Sequence, residues 1–261
     1  MEYNEILRRI VSAEREAAQL IMEAHGVMAE EKSSRRDVVT EYDRKVQELL
    51  TARLSAALPH ARFFSEEQEQ HDDINASALF VIDPIDGTMN FVRGLHHSCI
   101  SVAYAERGEV KAAAIYNPYV DELFTATLGG GAFLNGKPIH VDDAPLRETL
   151  VCFGTTPYDV SLAPRCFKLA QKMMETALDL RREGSAALDL CTVAAGRAGL
   201  YFELAHSPWD YAAGMLIARE AGGVCRTLEG EELRPIAGRP SVVAGGKVAV
   251  EEFFRITQDV R

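Results

Sequence analysis

Ala78-Leu79-Phe80-Val81-Ile82-Asp83-Pro84-Ile85-Asp86-Gly87-Thr88 is a continuous apolar run that ends in two aspartates. Five apolar residues without alternation are the pattern of a strand covered on both faces, and the run delivers the chain directly to Asp83. Pro84 and Gly87 turn it sharply, which leaves two carboxylates at the end of a buried strand, where water cannot solvate them freely. Unpaired there, they would cost several kcal/mol, so a divalent cation is the natural compensation. Hard oxygen ligands suit magnesium, which binds one or two carboxylates and leaves the rest of its shell to water and substrate phosphate. The amides of Gly87 and Thr88 are placed to face an anion. Asp-Pro and Asp-Gly are also ordinary turn formers, so taken alone the segment is equally a loop after a strand.

Working outward, apolar residues at Ile6, Ile10, Ala13, Ala17, Leu20 and Ala24 predict an amphipathic helix from Tyr3 to His25, ending before Gly26. A polar loop follows, then a second helix that buries Val46, Leu49, Leu50 and Leu54 and stops at Pro59, with Thr40 as N-cap and Asp43 three residues on. Beyond the quoted segment, strands at Ile100–Tyr104, Val110–Tyr116 and Leu123–Thr127 form an antiparallel meander. Gly129-Gly130-Gly131 lacks the Gly-Lys-Ser/Thr of a phosphate loop and reads as a tight turn.

From Leu150 the pattern alternates. Strands at Leu150–Phe153, Leu178–Arg182 and Leu200–Glu203 are separated by helices near Arg165–Ala177 and Ala187–Ala198, and a helix from Asp210 to Ala221 closes the series. That is an α/β half after an α+β half, with no linker between them. A chain of 261 residues, 47% hydrophobic, supports one large core. The expectation is a single domain over 1–261 with subdomains at about 1–146 and 147–261, and a site at their junction.

The formal net charge of −11 argues against nucleic acid or an anionic membrane as the main partner, so a phosphate-handling protein of this charge needs cations of its own. Five cysteines, widely spaced and without a C-x-x-C pair, read as reduced core residues of a cytoplasmic protein. No run is long enough to span a membrane.

Two further acidic positions stand out. Glu66-Glu67 follows the apolar pair Phe63-Phe64, which puts carboxylates at a second strand end, and Trp209-Asp210 opens a helix. Read blandly, the first is a solvated loop and the second a helix cap. With Asp37-Val38-Val39-Thr40-Glu41-Tyr42-Asp43 and Asp83–Thr88, however, Glu66-Glu67 and Trp209–Gly214 resemble, in order and spacing, the four signatures of the inositol monophosphatase family. The resemblance runs from the first helix to about Gly246.

The resemblance implies a layered αβαβα sandwich and a phosphomonoesterase that uses two or three Mg2+ ions. Glu66, Asp83 and the carbonyl of Ile85 would hold the first ion; Asp83, Asp86 and Asp210 the second; a third, weaker one would share Glu66. Thr88 and Asp43 would position and deprotonate the attacking water. Lys32, with Glu67, lies where the family carries a lysine near the third ion. Gly87, Thr88, Gly184, Ser185, Ala186, Glu203 and Asp210 would line the substrate site, with Glu203 on the hydroxyls of a small phosphorylated polyol. Ser207-Pro208 replaces the His-Cys pair of the animal enzymes, so strict inositol selectivity is not implied. The family is usually a homodimer and sensitive to lithium; no membrane or direct nucleic-acid partner is expected. Fructose-1,6-bisphosphate, phosphoadenosine phosphate and histidinol phosphate are alternative substrates within the family. Some bacterial members act instead in RNA metabolism through protein partners. An aspartyl-phosphate mechanism is disfavoured, because its motif spaces the aspartates by two rather than three.

Overall fold

In this computed structural model, residues 2–235 and 238–260 are described, so Met1 and Arg261, the ends of the expected single domain, lie outside them. In chain order the elements are α1 (Tyr3–Met22), β1 (Ala29–Ser34), β2 (Asp37–Thr40), α2 (Glu41–Ala57), β3 (Arg62–Ser65), β4 (Leu79–Asp86), α3 (Thr88–Val92), β5 (Cys99–Glu106), β6 (Glu109–Asn117), β7 (Glu122–Thr127), β8 (Gly131–Leu134) and β9 (Lys137–Pro138). They continue with β10 (Leu150–Phe153), α4 (Ala163–Met174), β11 (Asp179–Arg181), α5 (Ala186–Ala194), β12 (Leu200–Glu203), α6 (Pro208–Glu220), β13 (Val224–Arg226), β14 (Val242–Gly245) and α7 (Lys247–Ile256).

Period-two alternation along the strands builds the layers. On one face of the seven-stranded sheet β3-β4-β5-β6-β7-β8-β9, Phe80, Ile82, Val102 and Ala114 pack against α1 and α2. On the other, Leu79, Val81, Ala103 and Ile115 meet α5 and α6, which also cover Cys152, Tyr201 and Ala244 of the five-stranded sheet β11-β10-β12-β14-β13. The far face of that second sheet, with Val151, Phe202 and Val243, is closed by α4 and α7. The order helices, sheet, helices, sheet, helices is the αβαβα sandwich that the resemblance implied. The meander β5 to β9 is antiparallel as expected, while β3 joins β4 in parallel.

Three local readings need correction. The polar loop after α1 is an antiparallel hairpin, β1–β2; its polar residues gave no apolar alternation to read. Helix α1 ends at Met22 rather than His25, and α5 at Ala194 rather than Ala198, because Gly196 turns the chain with a positive φ. The Gly129–Gly131 turn is as expected: the amides of Gly129 and Gly131 each donate at 2.8 Å to Glu220 at the end of α6, so they are committed to a carboxylate and not to a phosphate. All five cysteines are free and buried, and no described helix is long and apolar enough to cross a membrane.

Candidate active site

The end of β4 is built by a register slip. Asp83 pairs with Ser101 and Asp86 with Cys99 across the β4–β5 ladder, so three steps on β4 match two on β5. Residues three apart on a regular strand point to opposite faces; the one-residue bulge at Pro84-Ile85 returns both aspartates to the same side. Proline is tolerated there because the bulge already breaks the ladder. Asp83 is 2% and Asp86 8% exposed, and Gly87 leaves the strand with a φ of +87° that also caps α3.

Five other segments converge on this end. Strand β3 ends beside it, placing Glu66 and Glu67, with Lys32 of the β1–β2 hairpin bonded to both: Nζ lies 2.9 Å from Glu66 Oε1 and also contacts Glu67 Oε1. Helix α2 supplies Asp43, fully buried. Its Oδ2 accepts from the Thr40 amide at 2.8 Å and the Thr40 hydroxyl at 2.5 Å, and its Oδ1 lies 3.2 Å from Thr88 Oγ1. Helix α5 supplies Ser185 and the Ala187 amide, which donate to Asp86 Oδ2 at 2.5 and 2.7 Å. Helix α6 opens with Asp210, whose Oδ2 accepts from the Ser207 amide at 2.8 Å and lies 3.4 Å from His206 Nδ1. Thus Thr40 and Ser207 are the N-caps of α2 and α6, and Asp43 and Asp210, the third residues of the two capping boxes, also face the cluster.

The electrostatics follow from burial. Desolvation lifts Glu66 to about 8, and the Glu67 and Asp210 charges add to it against the pull of Lys32. Desolvation lifts Asp86 to about 7, helped by Asp210 and opposed by its bonds to Ser185 and Ala187. Asp83 is held well above the usual carboxylate range by burial and by Glu66, Asp86 and Asp210. Burial alone would lower the Lys32 pKa, but Glu66 and Glu67 outweigh it and raise it. Six acidic side chains, Asp43, Glu66, Glu67, Asp83, Asp86 and Asp210, thus gather at this end, with Lys32 and His206 against them. This set of hard oxygen donors, short of positive charge, fits divalent magnesium. Among the described residues no three His, Cys, Asp or Glu side chains form a ready-made metal cluster: Asp86, Asp210, Glu66 and Asp43 are each turned to a donor of their own.

The cluster opens into a cleft of about 240 Å³ walled by Gly87, Thr88, Gly184, Ser185, Ala186 and Glu203, so every expected substrate-side residue is brought together. Glu203, though, is already engaged. Its Oε1 accepts from the Thr156 amide at 2.6 Å and hydroxyl at 3.2 Å, and its Oε2 from Tyr201 at 2.8 Å. The backbone of Gly154 passes so close that a Cβ there would sit 1.7 Å from Glu203 Oε2.

Residues 2–260 match the sequence profile of the Inositol monophosphatase family. The chain belongs to the inositol monophosphatase family. This family member is 42% identical over 194 residues to the Nus factor SuhB of Xylella fastidiosa, covering 74% of the chain and 70% of the relative. It is 34% identical over 259 residues to the Nus factor SuhB of Escherichia coli K12, covering 97% and 96%. The solved structure of the Thermotoga maritima IMPase superposes with a TM-score of 0.85 at 32% identity, over 96% and 95% of the two chains.

Those names correct the expected partners. A small substrate, with nucleic acid set aside, is too narrow for a family member whose relatives along nearly its whole length are named as Nus factors. Net charge misled because it sums the entire surface, whereas a macromolecule meets one patch of it.

Several wall residues escaped the sequence reading: His206, Tyr158, Arg182 and Asp189. Asp189 left a trace, since it is the one charged residue in the apolar stretch Ala186–Ala194 of α5. The others carried no local pattern.

Proposed function

We propose that this chain hydrolyses the phosphomonoester of a small phosphorylated polyol by direct attack of water. The observation that carries the reading is the hydrogen bond between Thr88 on the β4 turn and Asp43 on α2, 45 positions apart in sequence, formed beside the carboxylate cluster. Glu66, Asp83, the carbonyl of Ile85, Asp86 and Asp210 would hold two Mg2+ ions, with Asp83 shared, and Glu66 would also serve a third. Bound there, the ions would supply an activated water and charge neutralisation on the phosphoryl oxygens. Thr88 Oγ1 accepts a proton from the attacking water as its own passes to Asp43 Oδ1. Burial lifts Asp43 to about 6, against the lowering bonds from Thr40, which brings it close to the pH at which it must work as a base. Lys32 fixes Glu66 and Glu67, and the walls of the cleft admit one small carbon skeleton.

The test is phosphate release from inositol monophosphates, glycerol 2-phosphate, fructose-1,6-bisphosphate, phosphoadenosine phosphate and histidinol phosphate, each with magnesium and with chelator. Release that needs magnesium supports the reading, and the best kcat/KM names the substrate. No release from any of them, with magnesium binding demonstrated separately, removes it.

The relatives' names favour a second reading, in which the same fold also acts as a regulatory factor in RNA metabolism through a protein partner. Partner capture that survives Asp83→Asn, together with rescue of a cellular defect by that variant, would support it. Loss of both with Asp83→Asn would tie any such role to the catalytic site.

A further inference from the structure

Asp189 lies on α5 between Leu188 and Leu190, is 1% exposed, and its Oδ1 has no hydrogen-bond partner in the protein. The Cys152 thiol is near enough to interact with it, but a thiol is a weak donor. Leaving a buried carboxyl oxygen unpaired is destabilising, and native folds rarely keep one without a use for it. Among the described residues, the other side-chain atoms left unpaired in this way belong to Glu14, Ser65, His97, Ser98 and Thr227. None of these residues lines the cleft; Asp189 does.

Its position follows from the helix. Asp189 is one turn beyond Ser185, the N-cap of α5, so the two share a face. Ser185 bonds Asp86 in the carboxylate cluster, and Asp189, one turn further along α5, lines the same cleft. Glu203, the cleft's other acid outside the carboxylate cluster, has both oxygens committed to Thr156 and Tyr201. Asp189 is therefore the wall carboxyl with unfilled capacity. Burial, with the charges of Glu183, Glu203 and Asp86, holds it well above the usual carboxylate range, so it can donate as well as accept.

We propose that Asp189 is a specificity-determining residue that hydrogen-bonds a hydroxyl on the substrate's carbon skeleton, selecting phosphorylated polyols over phosphomonoesters that lack such a hydroxyl. The proposal rests on the phosphatase reading above and assigns one contact within it.

Two variants and two substrates test it. Asp189→Leu removes the polar atoms at similar size, while Asp189→Asn keeps a donor and an acceptor. On inositol 1-phosphate, Asp189→Leu should lower kcat/KM about ten- to hundredfold, mostly through KM, and Asp189→Asn should recover most of that loss. On p-nitrophenyl phosphate, whose leaving group has no hydroxyl, both variants should stay within about twofold of wild type. Calorimetric titration with free myo-inositol adds a readout independent of turnover, in which binding seen with wild type disappears with Asp189→Leu. Equal losses on both substrates would mean a structural role and overturn the proposal, as would unchanged kinetics on both. Should wild type hydrolyse neither substrate while inositol binding still depends on Asp189, the phosphatase reading fails and the polyol contact stands. If neither hydrolysis nor inositol binding is found, both fall.

Discussion

Thr88 has one hydroxyl proton and two acceptors within reach, Asp43 Oδ1 at 3.2 Å and the Ile85 carbonyl at 3.0 Å. Only the first is useful in a proton transfer, since a carboxylate can keep the proton and a carbonyl cannot. An ion that engaged the Ile85 carbonyl would leave Asp43 as the remaining partner. Thr88→Ala is accordingly expected to lower kcat by about 10²-fold or more with KM little changed, and Thr88→Ser to retain most activity. Steady-state kinetics with saturating magnesium decide it; a rise in KM that matches the fall in kcat would mean that Thr88 serves binding. The neighbouring Gly154 offers a second expectation at the same scale. A methyl there would collide with Glu203 Oε2, so Gly154→Ala should displace Glu203, disturb the substrate side and raise KM severalfold while the metal side is spared. Unchanged KM would show that Glu203 does not shape substrate binding. Little in the sequence points to the Gly154 constraint, because it exists only where β10 and β12 lie side by side.

At the scale of elements, what could be read and what could not divide along a physical line. Strand β4 was legible because burial on both faces demands an unbroken apolar run, and α1 and α2 because their buried faces repeat every three to four residues. The hairpin β1–β2 was not, because Glu30, Glu31 and Lys32 of β1 are exposed polar residues with no apolar alternation, and the contacts that fasten the hairpin, Lys32 to Glu66 and Arg44 to Glu30, join residues distant in sequence. Of the site, the residues named from the four signatures all converge, whereas Asp189 and His206 depend on where α5 and α6 dock. Thr40 shows how an element end and the site are one device. Its hydroxyl accepts from the Tyr42 amide at 3.1 Å, while its hydroxyl and amide together hold Asp43 Oδ2. Thr40→Ala should cost about 1 kcal/mol of stability, as N-cap losses do. It should also lower kcat, because Asp43 loses one of the two donors that aim it and keeps only the residue 40 amide. Thr40→Ser should restore both. Denaturant unfolding beside kinetics separates the two effects, and a stability loss without any change in kcat would confine Thr40 to capping.

Across the whole molecule, the carboxylate cluster sets how stability responds to pH. Burial lifts Asp43 to about 6, Asp86 to about 7 and Glu66 to about 8, against about 4 in an unfolded chain. Below pH ~4 these groups are protonated in both states and cost the fold nothing. As pH rises from there toward ~8, the unfolded chain releases its protons first, so the folded state binds more protons and its stability falls. In chelator, Tm should therefore drop between pH 5 and 8. The net charge of −11 pushes the same way through general repulsion, so the decisive comparison is Asp86→Asn. Without that carboxylate the curve should be shallower and Tm at pH 8 higher than wild type by several degrees, at roughly 2–4 °C for each kcal/mol. Magnesium, binding the folded carboxylates and not the unfolded chain, should raise Tm of wild type at pH 8 and that of Asp86→Asn far less. Sodium chloride at matched ionic strength, which only screens, should not reproduce that difference. Parallel Tm curves for the two proteins, with the same response to magnesium, would show that the cluster's acids are neither strained by burial nor relieved by a cation, and the metal assignment would go with them.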